Sequence, residues 1–362
     1  MKRKLVLLLA VLLCFTLSGC NLWMDGSYYS VQPHEDEQND VIRESATAST
    51  YSELRQVLVA LIENGQQSSV VYMPGFQSSK LTEYMNRAIA NVKQENPVAA
   101  YAVDDITYDI GTSSGMPAIA VNISYIHNRS EILRIRNVAD MNGASRMIED
   151  ALDDCEAGIV IRVTEYEDLD FALLVQNYVE ANPDICMEIP HVIAMSYPQG
   201  GKDRVVELSF TYQTSRESLR DMQKYVRPVF EAAKLNVSGE ETQSAKFALM
   251  YAFLMERSDY QLETSITPTY SLLRHGVGDS KAFATVYAAM CTRAGLDCQV
   301  VTGTRDGAPW VWNIICQDGI YYHIDLLNEA NEGKLRGLTE EDMQSYVWDY
   351  SSYPSTGSEK TR

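Results

Sequence analysis

Positive charge is in short supply. Thirty Lys and Arg against 49 Asp and Glu leave a formal net charge of -19 over 362 residues. That balance argues against nucleic acid, whose phosphates are held by clustered cations. It favours solubility, or attraction of cations near a charged envelope, and does not bear on the fold. Long apolar runs are missing too. A spanning helix needs about 20 apolar residues; Leu5 to Leu17 falls short, and the best internal run, Phe247 to Leu254, is soon interrupted by Glu256 and Arg257. Metal-ligand spacing is also lacking. With five His and seven Cys, no cluster has the intervals of a zinc site, and neither a metal nor another cofactor is expected.

What is present begins at the N-terminus. Lys2, Arg3 and Lys4 precede the apolar run, which leads into Leu17-Ser18-Gly19-Cys20. Cations, apolar run and small residues in that order form a secretory signal, and the ending resembles the bacterial lipobox, cleaved after Gly19. The resemblance implies a signal peptide over 1–19 and acyl chains, palmitate among them, on Cys20. It also implies an extracytoplasmic protein held to the cell membrane by lipid. One acyl chain binds a bilayer only at roughly 10⁴ M⁻¹, so stable anchoring takes two or more. Residues 20–50, with His34-Glu35-Asp36-Glu37 and Asn39-Asp40, lack apolar periodicity and are expected to form a flexible acidic tether. Five cysteines remain, Cys155, Cys186, Cys291, Cys298 and Cys316. Export permits disulfides, and Cys298 with Cys316 flank a predicted hairpin almost symmetrically about Gly307. The alternative is five buried thiols acting as small apolar residues.

Between Tyr51 and Phe230 the order of elements repeats. In the first copy, residues 51–139, a helix over Leu54–Ile62 leads to a strand at Val70–Tyr72 and a helix from Lys80 to Val92, before Asn96-Pro97. Strands at Ala99–Tyr108 and Ala118–Tyr125 flank Gly111–Gly115, and Asn128–Glu131 closes the copy. In the second, residues 140–235, a helix over Ala144–Asp153 precedes Ile159–Val163, then Leu169–Val179 before Asn182-Pro183. Strands at Cys186–Ser196 and Val205–Tyr212 flank Gly200-Gly201, and Thr214–Glu217 closes it. Alternation such as Val206, Leu208 and Phe210 against Glu207 and Ser209 predicts sheets with one wet face. Each copy reads as a small α+β module without a catalytic constellation; Glu165, Tyr166 and Glu167 read as a solvated loop.

From residue 236 a third α+β domain is expected to run to 362. A helical region over Glu240–Tyr260 precedes Tyr270–Ser280, and Phe283, Val286, Tyr287, Met290 and Ala294 mark the buried stripe of a helix over Lys281–Ala294. Strands at Gln299–Thr302, Trp310–Ile315 and Tyr321–Asp325 follow, joined through Asp306-Gly307 and Asp318-Gly319. Leu272-Leu273, Ala294-Gly295-Leu296, Val300–Gly303, Trp312-Asn313 and Tyr321–Asp325 resemble the transglutaminase-like superfamily, a papain-like group of peptidases, amidases and cross-linking acyl transferases. Tyr346–Asp349 and Tyr353-Pro354 resemble the tails of Gram-positive lipoproteins of this kind.

The resemblance implies a cysteine at the helix start, a histidine two strands on and an aspartate on the next strand. The helix N-terminus and imidazole favour thiolate, and the aspartate fixes the imidazole tautomer. On this sequence those positions hold Ser280, Trp310 and Asp325. A serine hydroxyl without a base is a poor nucleophile, and indole has no basic nitrogen. His323, two residues before Asp325 on the same strand face, and His275, in the loop before the helix, are the candidate replacement bases. The bland roles are also coherent: Asp279 or Ser280 as N-cap, and Asp325 as acceptor for the Trp310 indole N–H. The expectation is a noncatalytic lipoprotein that binds or scaffolds at the envelope. Its partners would be membrane lipid through acylated Cys20 and an extended peptide, protein or wall polymer, with no nucleic acid. The alternative is a peptidase or acyl transferase with a non-standard catalytic group.

Overall fold

A computed structural model of the chain describes residues 45–256, 258–262 and 264–357. The expected signal peptide over 1–19, Cys20 and most of the expected tether over 20–50 lie outside the described residues. Residues 45–50 of that expected stretch are described and include regular structure. Ser45–Thr47 forms a short strand, β1, and Ala48 is fully buried, its N–H donating to Tyr72 O at 2.8 Å. Thr50 then caps α1 (Tyr51–Glu63) by accepting from Glu53 N, while Ser49 N–H binds the Glu53 carboxylate at 2.7 Å. This reciprocal arrangement satisfies helix-start donors that would otherwise be orphaned.

The first module continues through β2 (Ser68–Tyr72), α2 (Leu81–Glu95), α3 (Pro97–Ala102), β3 (Val103–Ser113) and β4 (Met116–Tyr125), with sheet order β1-β2-β4-β3. The expected start of β3 is corrected here: Ala99 to Ala102 are helical. Asn96 ends α2 in an extended conformation and its side chain accepts from Ala99 N, and Pro97 occupies the first turn of α3, where its missing N–H costs nothing. After a turn capped reciprocally by Asn128 and Glu131, the second module follows. It comprises β5 (Arg136–Asp140), α4 (Met141–Asp153), β6 (Gly158–Glu165), α5 (Phe171–Ala181), β7 (His191–Tyr197) and β8 (Arg204–Thr211), in order β5-β6-β8-β7. The two sheets thus follow one scheme. The strand expected from Cys186 begins only at His191, because Pro190 has no N–H for a ladder and the Glu188 carboxylate instead accepts from Gln213 N and Thr214 N. Arg162 on β6 links the modules through a two-pronged bond to Asp203 and a 2.8 Å bond to Glu63 on α1.

Thr214–Glu217 does not merely close the second module. Ser215 caps α6 (Arg216–Val237), whose Leu219, Val226, Phe230, Ala233 and Val237 share a core with α7 (Gln243–Met255) and α8 (Ser280–Arg293). The expected border between 235 and 236 therefore falls inside one helix, which packs with the C-terminal domain. There α8 lies against a sheet of β11 (Cys298–Arg305), β12 (Ala308–Gln317), β13 (Ile320–Ile324) and β14 (Tyr346–Trp348), ordered β13-β12-β11-β14. A two-residue parallel pair, β9 (Asp259–Tyr260) with β10 (Val277–Gly278), precedes it. The hairpin turns use Asp306-Gly307 at φ 52° and 79° and Asp318-Gly319 at φ 53° and 86°. Two successive positive φ values give the tight turn whose twist matches the strands.

The sequence stripe on α8 understates its burial, since Ala282, Ala284, Ala288, Ala289 and Cys291 are buried as well. Tyr287, fully buried, donates its hydroxyl to Phe247 O at 2.9 Å. Burying such a side chain contributes about 1.5–3 kcal/mol. All five described cysteines are free buried thiols, which corrects the Cys298–Cys316 pairing. Cys298 lies opposite Ile315 in the β11–β12 register. Its neighbour Cys316 therefore points to the other sheet face.

Candidate functional site

The three positions implied by the resemblance fall on neighbouring elements: Ser280 at the start of α8 beside the β12 backbone, Trp310 on β12, and Asp325 just after β13. Asp279 is the N-cap, its Oδ1 accepting from Ala282 N at 2.8 Å and its Oδ2 from the Thr264 hydroxyl. Ser280 follows as the first helical residue. Its side chain is nearly buried, and its Oγ accepts from Val311 N at 3.3 Å. The serine thus rests on the backbone of β12, and among the described residues no imidazole hydrogen-bonds to it.

Trp310 and Asp325 are joined directly. The indole Nε1–H donates to Asp325 Oδ2 at 3.0 Å, so the hydrogen bond expected between these side chains is present. Two further donors reach the same oxygen: Arg305 Nη1 at 3.0 Å and the Tyr346 hydroxyl at 2.6 Å. Leu327 N binds Oδ1 at 3.0 Å. The carboxylate is 1% exposed, and such a group is tolerated when charge-paired and hydrogen-bonded. The Arg305 guanidinium supplies the charge and lies 5.3 Å from the Trp310 ring centre and 5.6 Å from that of Tyr346. Burial, followed by the nearby carboxylate, pushes the Tyr346 phenol well above its usual range, so it remains a donor. Tyr260 on β9 packs against the outer part of this group, its ring 5.4 Å from Trp310.

Among the described residues neither candidate replacement base hydrogen-bonds to Ser280. His323 is 1% exposed, and its Nδ1 accepts from the Trp312 indole at 3.0 Å. Since indole only donates, the imidazole proton sits on Nε2. That atom has no hydrogen-bond partner, but the ring meets Trp348 edge-on at 4.6 Å and 70°, an arrangement suited to N–H···π contact. Burial lowers the His323 pKa to about 4, which keeps it neutral near pH 7. His275 lies edge-on to Tyr270 at 5.5 Å, just before Gly276 turns the chain at φ 74°.

The remaining candidates are dispersed. Glu165 pairs with Lys202 at 2.8 Å on an exposed surface, and Arg204 lies 4.3 Å over the Tyr166 ring. Cys20 lies outside the described residues. Sequence reasoning did not find Arg305 or Tyr346 as partners of Asp325. They face each other in the β11–β14 register, but 40 residues of chain separate them, and Arg305 carries no local signal. Among the described residues no group of His, Cys, Asp and Glu could hold a metal ion, and no helix is long and apolar enough to cross a membrane.

Residues 231–331 match the transglutaminase-like superfamily, so a transglutaminase-like domain is present within this α+β chain. The match begins inside α6 and passes Asp325, leaving Tyr346 beyond it. No curated protein matches the chain. Three solved structures share local similarity. A TGase is 12% identical, with 48% of this chain and 51% of that chain covered at a TM-score of 0.27. A candidate cysteine protease from Cytophaga hutchinsonii is 11% identical, with 44% and 70% covered at 0.26. A candidate protease from Parabacteroides distasonis is 8% identical, with 71% and 39% covered at 0.24. The chain thus spans about half the length of the TGase, and superpositions this loose transfer no residue role.

Proposed function

We propose that the protein is a membrane-anchored surface lipoprotein whose transglutaminase-like domain binds or scaffolds at the cell envelope and does not catalyse acyl transfer. The observation that carries this reading is the bond from Trp310 to Asp325 at 3.0 Å. An indole occupies the position of the base and uses the carboxylate that would orient an imidazole. Asp325 has become the centre of a structural knot with Arg305 and Tyr346. Ser280 keeps a hydroxyl at a helix start, and among the described residues no basic side chain hydrogen-bonds to it. Loss of a nucleophile that works with its base costs on the order of a million-fold, about 8–9 kcal/mol of barrier.

The anchor is carried by the order Lys2-Arg3-Lys4, apolar run and Leu17-Ser18-Gly19-Cys20. The common strand order of the modules ahead of the third domain supports reading them as an internal duplication. Two measurements test the proposal. Treatment with a serine-reactive phosphonate should label wild type no more than Ser280→Ala; Ser280-dependent labelling overturns the noncatalytic reading. Palmitate fed to the producing cells should enter the full chain and not Cys20→Ala. Equal incorporation into both overturns the anchor.

A further inference from the structure

The sheet of the second module ends on β7, and the ladder to β8 decides which of its backbone groups look outward. Phe210 N–H donates to Ala157 O, on the β6 side, at 2.8 Å. Its neighbours Ser209 and Thr211 therefore turn their amides toward β7. They stand opposite Ile193 and His191, and Glu207 stands opposite Met195. Those pairs exchange the ladder bonds, so Val192, Ala194 and Ser196 direct N–H and C=O away from the sheet. None of these three has another backbone partner among the described residues. Ala194 is exposed, and Ile193 and Met195 are 51% and 48% exposed beside it.

Other described edges are protected. β3 carries Asp104, Asp105 and Asp109, and β5 carries Arg136 and Asp140. β1 and β14 have three residues each, and His323 on β13 exchanges both backbone bonds with Leu338. Short length, charge and cover are the usual defences of a sheet edge. β7 is neither short nor charged: His191-Val-Ile-Ala-Met-Ser-Tyr197 contains no Asp, Glu, Lys, Arg, Pro or Gly, and among the described residues its cover is Tyr101 of α3 against Tyr197 at one end, with Pro190 and Pro198 just outside the strand. Immediately before it, Glu188 and Ile189 line a cavity of about 240 Å³ whose apolar wall includes Val179, Met187 and Ala282. Ile189 at its margin is 44% exposed.

We propose that β7 receives an extended strand from a partner polypeptide with apolar residues at alternate positions, one of whose side chains enters the adjoining cavity. Backbone bonds to Val192, Ala194 and Ser196 supply affinity, while Ile193, Met195 and the cavity select side chains. This deepens the binding reading by naming a surface and a class of partner, and the phosphonate experiment decides the noncatalytic reading separately.

The test uses the full chain in detergent and a labelled acetyl-(Thr-Val)₃-amide peptide. Anisotropy should report binding, and hydrogen exchange at Val192, Ala194 and Ser196 should be rapid in the free chain and slowed by peptide. Ala194→Pro removes an outward N–H that the sheet does not use, so its melting temperature should stay close to wild type. Its affinity should fall about tenfold, the worth of one backbone hydrogen bond. Met195→Lys should weaken binding as well. No binding at millimolar peptide, binding unchanged in Ala194→Pro, or amides already protected in the monomer would each overturn the proposal. So would self-association abolished by Ala194→Pro, because the occupant would then be a second copy of the chain.

Discussion

Trp310 gives its indole N–H to Asp325 at 3.0 Å, making the contact that an imidazole would make in a working triad while offering no base. Arg305 and Tyr346 add donors to the same buried oxygen. Asp325→Asn should consequently be costly. It keeps the shape but removes the charge opposing Arg305, and breaking such a buried pair costs about 3–5 kcal/mol. Trp310→Phe removes one donor and leaves the charge pair, for about 1–2 kcal/mol. Denaturant unfolding of both variants checks the order, and an Asp325→Asn chain as stable as wild type would contradict the structural role.

If the proposed noncatalytic reading rests on the side chains at 280 and 310, placing a cysteine and a histidine there should create an activated nucleophile. Ser280→Cys alone places a thiol at a helix start without an imidazole. Ser280→Cys with Trp310→His adds a base that Asp325 can orient. The double variant should react with iodoacetamide at pH 7 at least about tenfold faster than the single cysteine variant, because a paired imidazole raises the thiolate fraction. Equal rates would mean that the fold does not bring the two positions together.

Much of this arrangement was legible in the chain. The Asp-Gly turns, the helix behind Asp279 and the spacing of Trp310 and Asp325 each express a local rule of backbone geometry or capping. What escaped was non-local or depended on competition between local preferences. Ala99–Ala102 lies between an Asn-Pro start signal and a β-rich continuation, and the cap decided for helix. Arg305 on β11 and Tyr346 on β14 meet Asp325, just after β13, only because β13 and β14 flank the central hairpin, a pairing that no nearby residue encodes. The α6 helix looked like the end of one module because its apolar face is completed by α7 and α8, later in the chain.

Close packing behind the knot gives a steric prediction. A Cβ built on Gly303 would lie 2.2 Å from Val347 O and 2.8 Å from the Trp312 ring. Backbone on β14 cannot yield without breaking the β11–β14 pairing. Gly303→Ala should therefore destabilise by about 1–3 kcal/mol, the usual range for overpacking. Gly111→Ala, where nothing lies within 4 Å, serves as the control and should change the melting temperature little.

His323 makes stability depend on acid in a definite direction. Burial lowers its folded pKa to about 4 from the ordinary 6.5. Above the unfolded value both states are neutral at this residue and its contribution is complete. As pH falls from about 6.5 toward 4, the unfolded chain takes up a proton that the native chain refuses, so stability declines. Below the folded value both states are protonated and this dependence ends. The shift corresponds to on the order of 3 kcal/mol. His323→Gln can still accept from Trp312 but cannot titrate. The difference between wild-type and variant unfolding free energies should therefore change across this window and flatten on either side. A difference that is flat from pH 7 to 4 would show that His323 titrates alike folded and unfolded, despite its burial between Trp312 and Trp348.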